Sequence, residues 1–252
     1  MDLKQEKIND DLTLCQPTDS LPFGTDAYLL YAYLRRTPRA RAMELGTGSG
    51  VVSLLCANAG KCAHIDAVEV QEEMAAVAAK NVETNGLSDR IRILPCDIRS
   101  LPTEENGRYD AVFANPPYMT AGSGKQSEDE KTRIARSELC GTIDDFCRTA
   151  ARMLRLGGLF TVVFRPERLT DLICSLRSSG LEPKRMTFVY PTAEHVPCLV
   201  LTEAKKGAAP GLFLTRPLII YQSRADTSPA GYTPDMNDIY ENGEFHESYR
   251  KP

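Results

Sequence analysis

Two short stretches of this chain combine residue types and spacings that can do chemistry. The first is Asn115-Pro116-Pro117-Tyr118, directly behind the apolar run Tyr109–Ala114. Prolines cannot continue a hydrogen-bonded ladder, and they stiffen the turn. The Asn115 amide oxygen and the Pro116 carbonyl then become two fixed acceptors, and the Tyr118 ring offers a stacking face. That combination suits an amine conjugated to a flat system. Such a nitrogen is a poor nucleophile because its lone pair is delocalised. Acceptors that hold its N–H groups favour the tetrahedral nitrogen formed on attack, and stacking supplies proximity. Asn115, Pro116 and Tyr118 are therefore the candidate catalytic residues, with Pro117 and Tyr118 contacting the substrate. Adenine, cytosine and glutamine all remain open as the acceptor.

The second stretch is Glu44-Leu45-Gly46-Thr47-Gly48-Ser49-Gly50. Glycines let the backbone turn sharply and approach a ligand where a Cβ would collide. A dinucleotide fingerprint spaces its glycines GxGxxG and seats a pyrophosphate on the following helix. Here the spacing is GxGxG and an acid, Glu44, stands just before it. That acid would repel pyrophosphate but suits a cofactor carrying an amine and a sulfonium. Glu69 ends the next strand and can accept from both hydroxyls of a ribose. Asp97 follows the third strand and can accept from an adenine amino group. Thr47, Val70, Cys96 and Ile98 flank these positions, and Asn115 closes the candidate cofactor shell.

Three carboxyl-bearing turns on consecutive strand ends require strands that run the same way. The pattern from residue 41 supplies them: Arg41–Leu45, Ile65–Val70, Ile91–Pro95, Tyr109–Ala114 and Leu159–Phe164 read as strands. Helical runs at Val51–Ala59, Gln71–Asn85 and Thr142–Leu154 alternate with them. Asn85-Gly86 and Gly157-Gly158 are read as helix stops. Arg185–Tyr190 and Val196–Glu203 lie too close for a crossover helix and predict an antiparallel hairpin at the sheet edge. The expected fold is α/β: a doubly wound, mostly parallel seven-stranded sheet with a C-terminal antiparallel hairpin. Residues 1–40 are expected to be a lead-in with a helix over Thr25–Leu34. Residues 41–222 are expected to form the main domain. Residues 223–252 are expected to be a polar tail that orders only on binding.

The glycine turn with Glu69 and Asp97 resembles the class I methyltransferase family, with its Rossmann-like fold. That resemblance implies S-adenosylmethionine as cofactor, with Gly46, Gly48 and Gly50 along its methionine moiety, Glu69 on the ribose and Asp97 at the adenine. Gly24-Thr25-Asp26 resembles the segment that closes over the methionine end in related enzymes, which adds Thr25 and Asp26 to the cofactor set. Asn115-Pro116-Pro117-Tyr118 resembles both the N6-adenine DNA and RNA methyltransferases and the protein-glutamine methyltransferases. Phe23–Leu30, Phe164-Arg165-Pro166-Glu167-Arg168-Leu169, Glu182-Pro183-Lys184-Arg185 and Pro217-Leu218-Ile219-Ile220-Tyr221 extend the likeness across most of residues 8–240. Together they look like the bacterial valine-tRNA adenine-N6 methyltransferase family. The implied reaction is in-line methyl transfer from sulfonium to the N6 amine of an adenine in the tRNA anticodon loop. Glutamine-directed relatives usually carry an extra N-terminal helical domain, whereas about 24 residues precede the Asp26 helix here. A non-catalytic module that keeps the fold is the third reading, and the intact Asn115–Tyr118 motif disfavours it.

Bulk properties narrow the remaining classes. A chain of 252 residues, 42% apolar and 25% charged, matches one large globular unit. Such a chain buries roughly 70–75% of its unfolded surface. No apolar run reaches the ~20 residues of a membrane span, and the polar N-terminus has no signal-peptide core. The expected compartment is therefore the cytoplasm. The eight cysteines form no CxxC pair and the three histidines are isolated, so no metal is expected. A net charge of −4 argues against broad nucleic-acid binding. Local clusters make Arg35, Arg36, Arg39, Lys125, Lys184 and Arg185 the candidates for the RNA backbone. The sequence assigns no oligomeric state.

Overall fold

The computed structural model describes residues 3–18, 24–117 and 141–250. The chain opens with a two-stranded antiparallel sheet, β1 (Leu3–Lys7) and β2 (Thr13–Pro17). Helix α1 (Thr25–Tyr33) follows, then the alternating run: β3 (Arg41–Leu45), α2 (Val51–Asn58), β4 (His64–Glu69), α3 (Glu72–Thr84), β5 (Ile91–Pro95) and β6 (Tyr109–Ala114). Beyond residue 140 come α4 (Ile143–Met153), β7 (Leu154–Phe164), α5 (Leu169–Ser178), β8 (Leu181–Tyr190) and β9 (Leu199–Lys206). The described chain ends with β10 (Phe213–Leu214), β11 (Leu218–Ile219) and α6 (Pro234–Asn242).

The seven long strands lie in the order β8-β9-β7-β6-β3-β4-β5. All pairs from β5 to β7 are parallel, and β9 is antiparallel to both β7 and β8. The doubly wound expectation holds, with one addition at the hairpin end. Within the hairpin, the later strand in sequence, β9, lies inside, between β7 and β8. The outer side of β8 is then covered by β10 and β11, which pair with it in parallel and raise the sheet to nine strands. An uncovered β8 would expose a row of unpaired backbone groups.

Two apolar layers cover the sheet. One packs Leu29, Leu30, Val52 and Leu55 of α1 and α2 against Ala42 and Ile65. The other packs Phe146, Cys147, Ala150 and Leu176 of α4 and α5 against Val112, Phe160 and Val162. Helix α4 begins at a reciprocal capping box, Thr142 with Asp145. It stops at Met153, before the Gly157-Gly158 pair, and both glycines lie inside β7. Gly158 marks a close backbone approach, since a Cβ there would stand 3.1 Å from the Asp110 carbonyl, beside the register shift between β6 and β7.

The C-terminal segment departs most from expectation. Residues 223–230 are exposed, but 231–250 are built into the first apolar layer rather than standing off as a tail. Thr233 caps α6, Pro234 takes its first turn, and Gly243 ends it in the left-handed region. Met236, Ile239, Phe245 and Tyr249 are all buried. The lead-in is structured too. Asn81 and Asn85, four apart on α3, each exchange two hydrogen bonds with the backbone of β2, at Cys15 and Thr13.

Candidate active site

The C-terminal ends of β3, β4, β5 and β6 meet at one edge of the sheet, the usual ligand edge of such folds. A cavity of about 300 Å³ opens there, lined by Gly24, Asp26, Glu44, Gly46, Gly48 and Asn115 among others. Gly46, Gly48 and Gly50 all have φ between +57° and +86°. Side chains strain that conformation, so the turn depends on glycine. At Gly50, the left-handed cap of α2, a Cβ would also press on Ala78 of α3 at 3.4 Å.

Three carboxylates surround this turn. Glu44 is 2% exposed and accepts from the hydroxyls of Thr47, at 2.6 Å, and Ser53. Burial pushes its pKa up to about 7, against the lowering effect of those hydroxyls. Glu69 is also buried and accepts from the Gly48 and Gln71 N–H groups, both at 2.9 Å. It thereby ties the glycine turn to the start of α3. Asp26 sits in the first turn of α1 and accepts from the Asn115 side-chain N–H at 3.0 Å. A Cβ at Gly24 would press on the Asp26 carboxylate, so a larger residue there would make that side chain shift.

The Asp26 contact settles how Asn115 is held. With its N–H donor turned to a carboxylate, the amide presents an oxygen acceptor, which is the group an incoming N–H requires. Pro116 is buried and Pro117 half-buried directly after it. Tyr118 lies outside the described residues, and so does Lys125.

The structure thus brings Asp26, Glu44, Gly46, Thr47, Gly48 and Asn115 around one cavity. Thr25, the first residue of α1, is not among the lining residues. Val70, Cys96, Asp97 and Ile98 continue the edge past the cavity, at the ends of β4 and β5. Asp97 is engaged there: it caps a single turn and takes Arg99 in a two-pronged ion pair, which holds its carboxyl below the usual range. Sequence reasoning missed Gln16, Pro17 and Met74, which also line the cavity, as do Ala27, Ser49, Val51 and Val52. The hairpin that brings Gln16 is pinned by the Asn81–Asn85 pair, and Asn81 also donates to the Ser49 carbonyl of the glycine turn.

The cations proposed for RNA fall elsewhere. Arg185 is 3% exposed and shares the Glu203 carboxylate with Arg35, so it faces no solvent. Arg35, Arg39, Lys184 and Arg185 all line cavities at the opposite edge, where the parallel strands begin.

The family model for the methyltransferase small domain matches residues 19–172. A tRNA1(Val) (adenine(37)-N6)-methyltransferase from Escherichia coli O9:H4 is 34% identical over 186 residues, 72% of this chain and 74% of that protein. Among solved structures, one described as a predicted O-methyltransferase of Agrobacterium tumefaciens aligns with a TM-score of 0.68 at 23% identity, covering 88% of this chain and 98% of that one. A geranyl diphosphate methyltransferase in complex with S-adenosylmethionine aligns at 0.53 and 16% identity, covering 71% and 84%. The two structures speak to the fold, and the sequence matches speak to descent: this chain belongs to the methyltransferase small-domain family and, within it, to the tRNA1(Val) (adenine(37)-N6)-methyltransferases.

Proposed function

We propose that this chain transfers a methyl group from S-adenosylmethionine to the N6 amine of an adenine in the anticodon loop of a tRNA. The observation that carries the reading is the Asp26–Asn115 contact at the lip of the glycine cavity. It places a fixed amide acceptor beside a pocket whose acids suit an amine and a sulfonium. S-adenosylmethionine, when bound, supplies an electrophilic methyl group. Gly46 and Gly48 lie along its methionine end and Glu44 faces its cationic groups. Glu69, Val70, Cys96, Asp97 and Ile98 extend toward its ribose and adenine.

The protein's own part is to hold the target nitrogen. Asn115 Oδ1 and the Pro116 carbonyl accept from the N6 hydrogens, and Pro117 and Tyr118 stack on the base. A strong base is unnecessary, because the nitrogen becomes acidic only after attack. The proton then leaves through an acceptor already in contact. An unpaired loop adenine is the least costly target, since little stacking must be broken. The RNA-directed name of the relative favours adenine over glutamine. Among the described residues no helix is long and apolar enough to cross a membrane, and we place the enzyme in the cytoplasm with its RNA.

Asn115→Ala tests the reading. Transfer to tRNA should fall at least 10²- to 10³-fold, about what one preorganised hydrogen-bonding group is worth. Calorimetric titration should still show cofactor binding. Loss of cofactor binding in this variant would remove Asn115 from the acceptor role. Nucleoside mass spectrometry of tRNA from cells with and without the protein identifies the base. The absence of any difference in N6-methyladenine would defeat the assignment.

A further inference from the structure

Two adjoining cavities, of about 480 and 290 Å³, lie at the edge where the parallel strands begin, and they share Arg35, Gly157 and Leu159. Strands of five or six residues at about 3.3 Å per residue put this edge roughly 15–20 Å from Asn115. Six cations line the pair: Arg35, Arg39, Arg155, Lys184, Arg185 and Lys205. Only two carboxylates, Asp110 and Glu203, face them within the lining. Asp110 is held by Arg155 at 2.6 Å. Glu203 accepts from Arg35 at 2.7 and 2.5 Å and from Arg185 at 3.2 Å.

One carboxylate between two guanidiniums leaves a positive excess, divided between the exposed Arg35 and the buried Arg185. Arg185 lies 3.7 Å over the Tyr33 ring and donates to the Tyr33 carbonyl at 2.7 Å. Its Nε has no acceptor among the described residues. A buried, under-neutralised cation strengthens the field in the cavity beside it and favours a further anion. The remaining wall is apolar, with Leu34, Pro38, Ala111 and Leu159. Among the described residues no aromatic ring lines either cavity, so a nucleobase would find no stacking face there.

We propose that the two cavities form one site for a small phosphate monoester. Its phosphate sits against Arg35, Lys184 and Lys205, in front of the buried Arg185, and its carbon skeleton lies against Leu34, Pro38 and Leu159. The volume is that of a small-molecule pocket with a few polar groups on an apolar wall. An RNA backbone is the competing occupant. It needs cations set along an open track, whereas these line two cavities that share an apolar wall.

Phenyl phosphate is the probe, titrated by calorimetry into the full chain. Saturable binding is expected, and a paired Arg155→Ala, Lys205→Ala variant should weaken it at least tenfold. Both side chains are exposed, so this variant keeps its melting temperature and its methyl-transfer rate. Lys184→Gln should weaken binding by a smaller factor and serves as an independent check. Saturating tRNA should leave phenyl phosphate binding unchanged. The proposal is overturned by the absence of saturable binding, by equal affinity in the paired variant, or by displacement with tRNA, which would give this edge to the RNA backbone.

Discussion

The two edges of the central sheet are built from the same strands, yet they carry opposite chemistry. At the edge where β3, β4 and β5 end, acids predominate: Glu44, Glu69 and Asp97, the last paired with Arg99. At the edge where those strands begin, cations dominate. The doubly wound path explains the contrast. Helices α2 and α3 start after β3 and β4, so backbone N–H groups point into the first edge, and α1 and α2 finish at the second, where carbonyls are left over. Glu69 accepts from the N–H groups of Gly48 and Gln71. Lys61 donates to the Tyr31, Ala32 and Leu34 carbonyls beyond α1, and Arg90 donates to the Ala57 and Cys62 carbonyls at the end of α2. Each edge thus recruits charges that complement its helix ends. A cofactor with an amine and a sulfonium fits the first, and an anion fits the second.

The largest expected effect tests whether the far edge is structural at Lys61. This ammonium is 3% exposed, and burial lowers its pKa to about 8, so it stays charged at neutral pH. Lys61→Met removes the donor for three carbonyls at once. A buried unsatisfied polar group costs about 1–3 kcal/mol, so chemical denaturation should show a loss of about 3 kcal/mol. The kcat of the folded fraction should be unchanged. A variant of normal stability with impaired transfer would break the division of labour between the edges.

Legibility in the sequence follows the same division. The near edge was readable because its parts are local: glycines at fixed spacing need left-handed backbone, and acids at successive strand ends gather at one edge of the sheet. The pairing of Asp26 with Asn115 was not, since the two stand on different elements and meet only through tertiary packing. The C-terminal helix carried ordinary signals in Thr233, Pro234 and Gly243, but its polar surroundings masked them. Met236 and Ile239 sit three apart and supply the buried stripe. The place of β9 between β7 and β8 was hidden for another reason. Hairpin spacing sets which strands are antiparallel, and it leaves open which of the two lies inside.

An effect of intermediate size sharpens the near edge. If Asp26 orients Asn115, Asp26→Ala should lower kcat about tenfold, roughly 1.4 kcal/mol, within the range of a hydrogen bond to a charged group. The cofactor Kd should move much less, and Asp26→Asn, which keeps an acceptor oxygen, should recover part of kcat. A raised Kd with kcat intact would instead make Asp26 a cofactor ligand alone.

The smallest effect concerns protons at Glu44. Its folded pKa of about 7 lies above the ordinary 4.5 because burial disfavours the charge. Between those values the folded chain keeps a proton that the unfolded chain has lost. The contribution of Glu44 to stability is therefore present at low pH and is lost as pH rises from about 4.5 to 7. Cofactor binding should slope the other way. A cationic amine prefers the ionised carboxylate, so affinity should rise several-fold between about pH 6 and 7.5. Glu44→Gln should flatten both slopes. Parallel slopes in stability and affinity would mean that Glu44 serves the glycine turn through Thr47 and Ser53 and does not meet the cofactor's charge. Opposite slopes would show that the acid at this edge is held neutral until a cation arrives to ionise it.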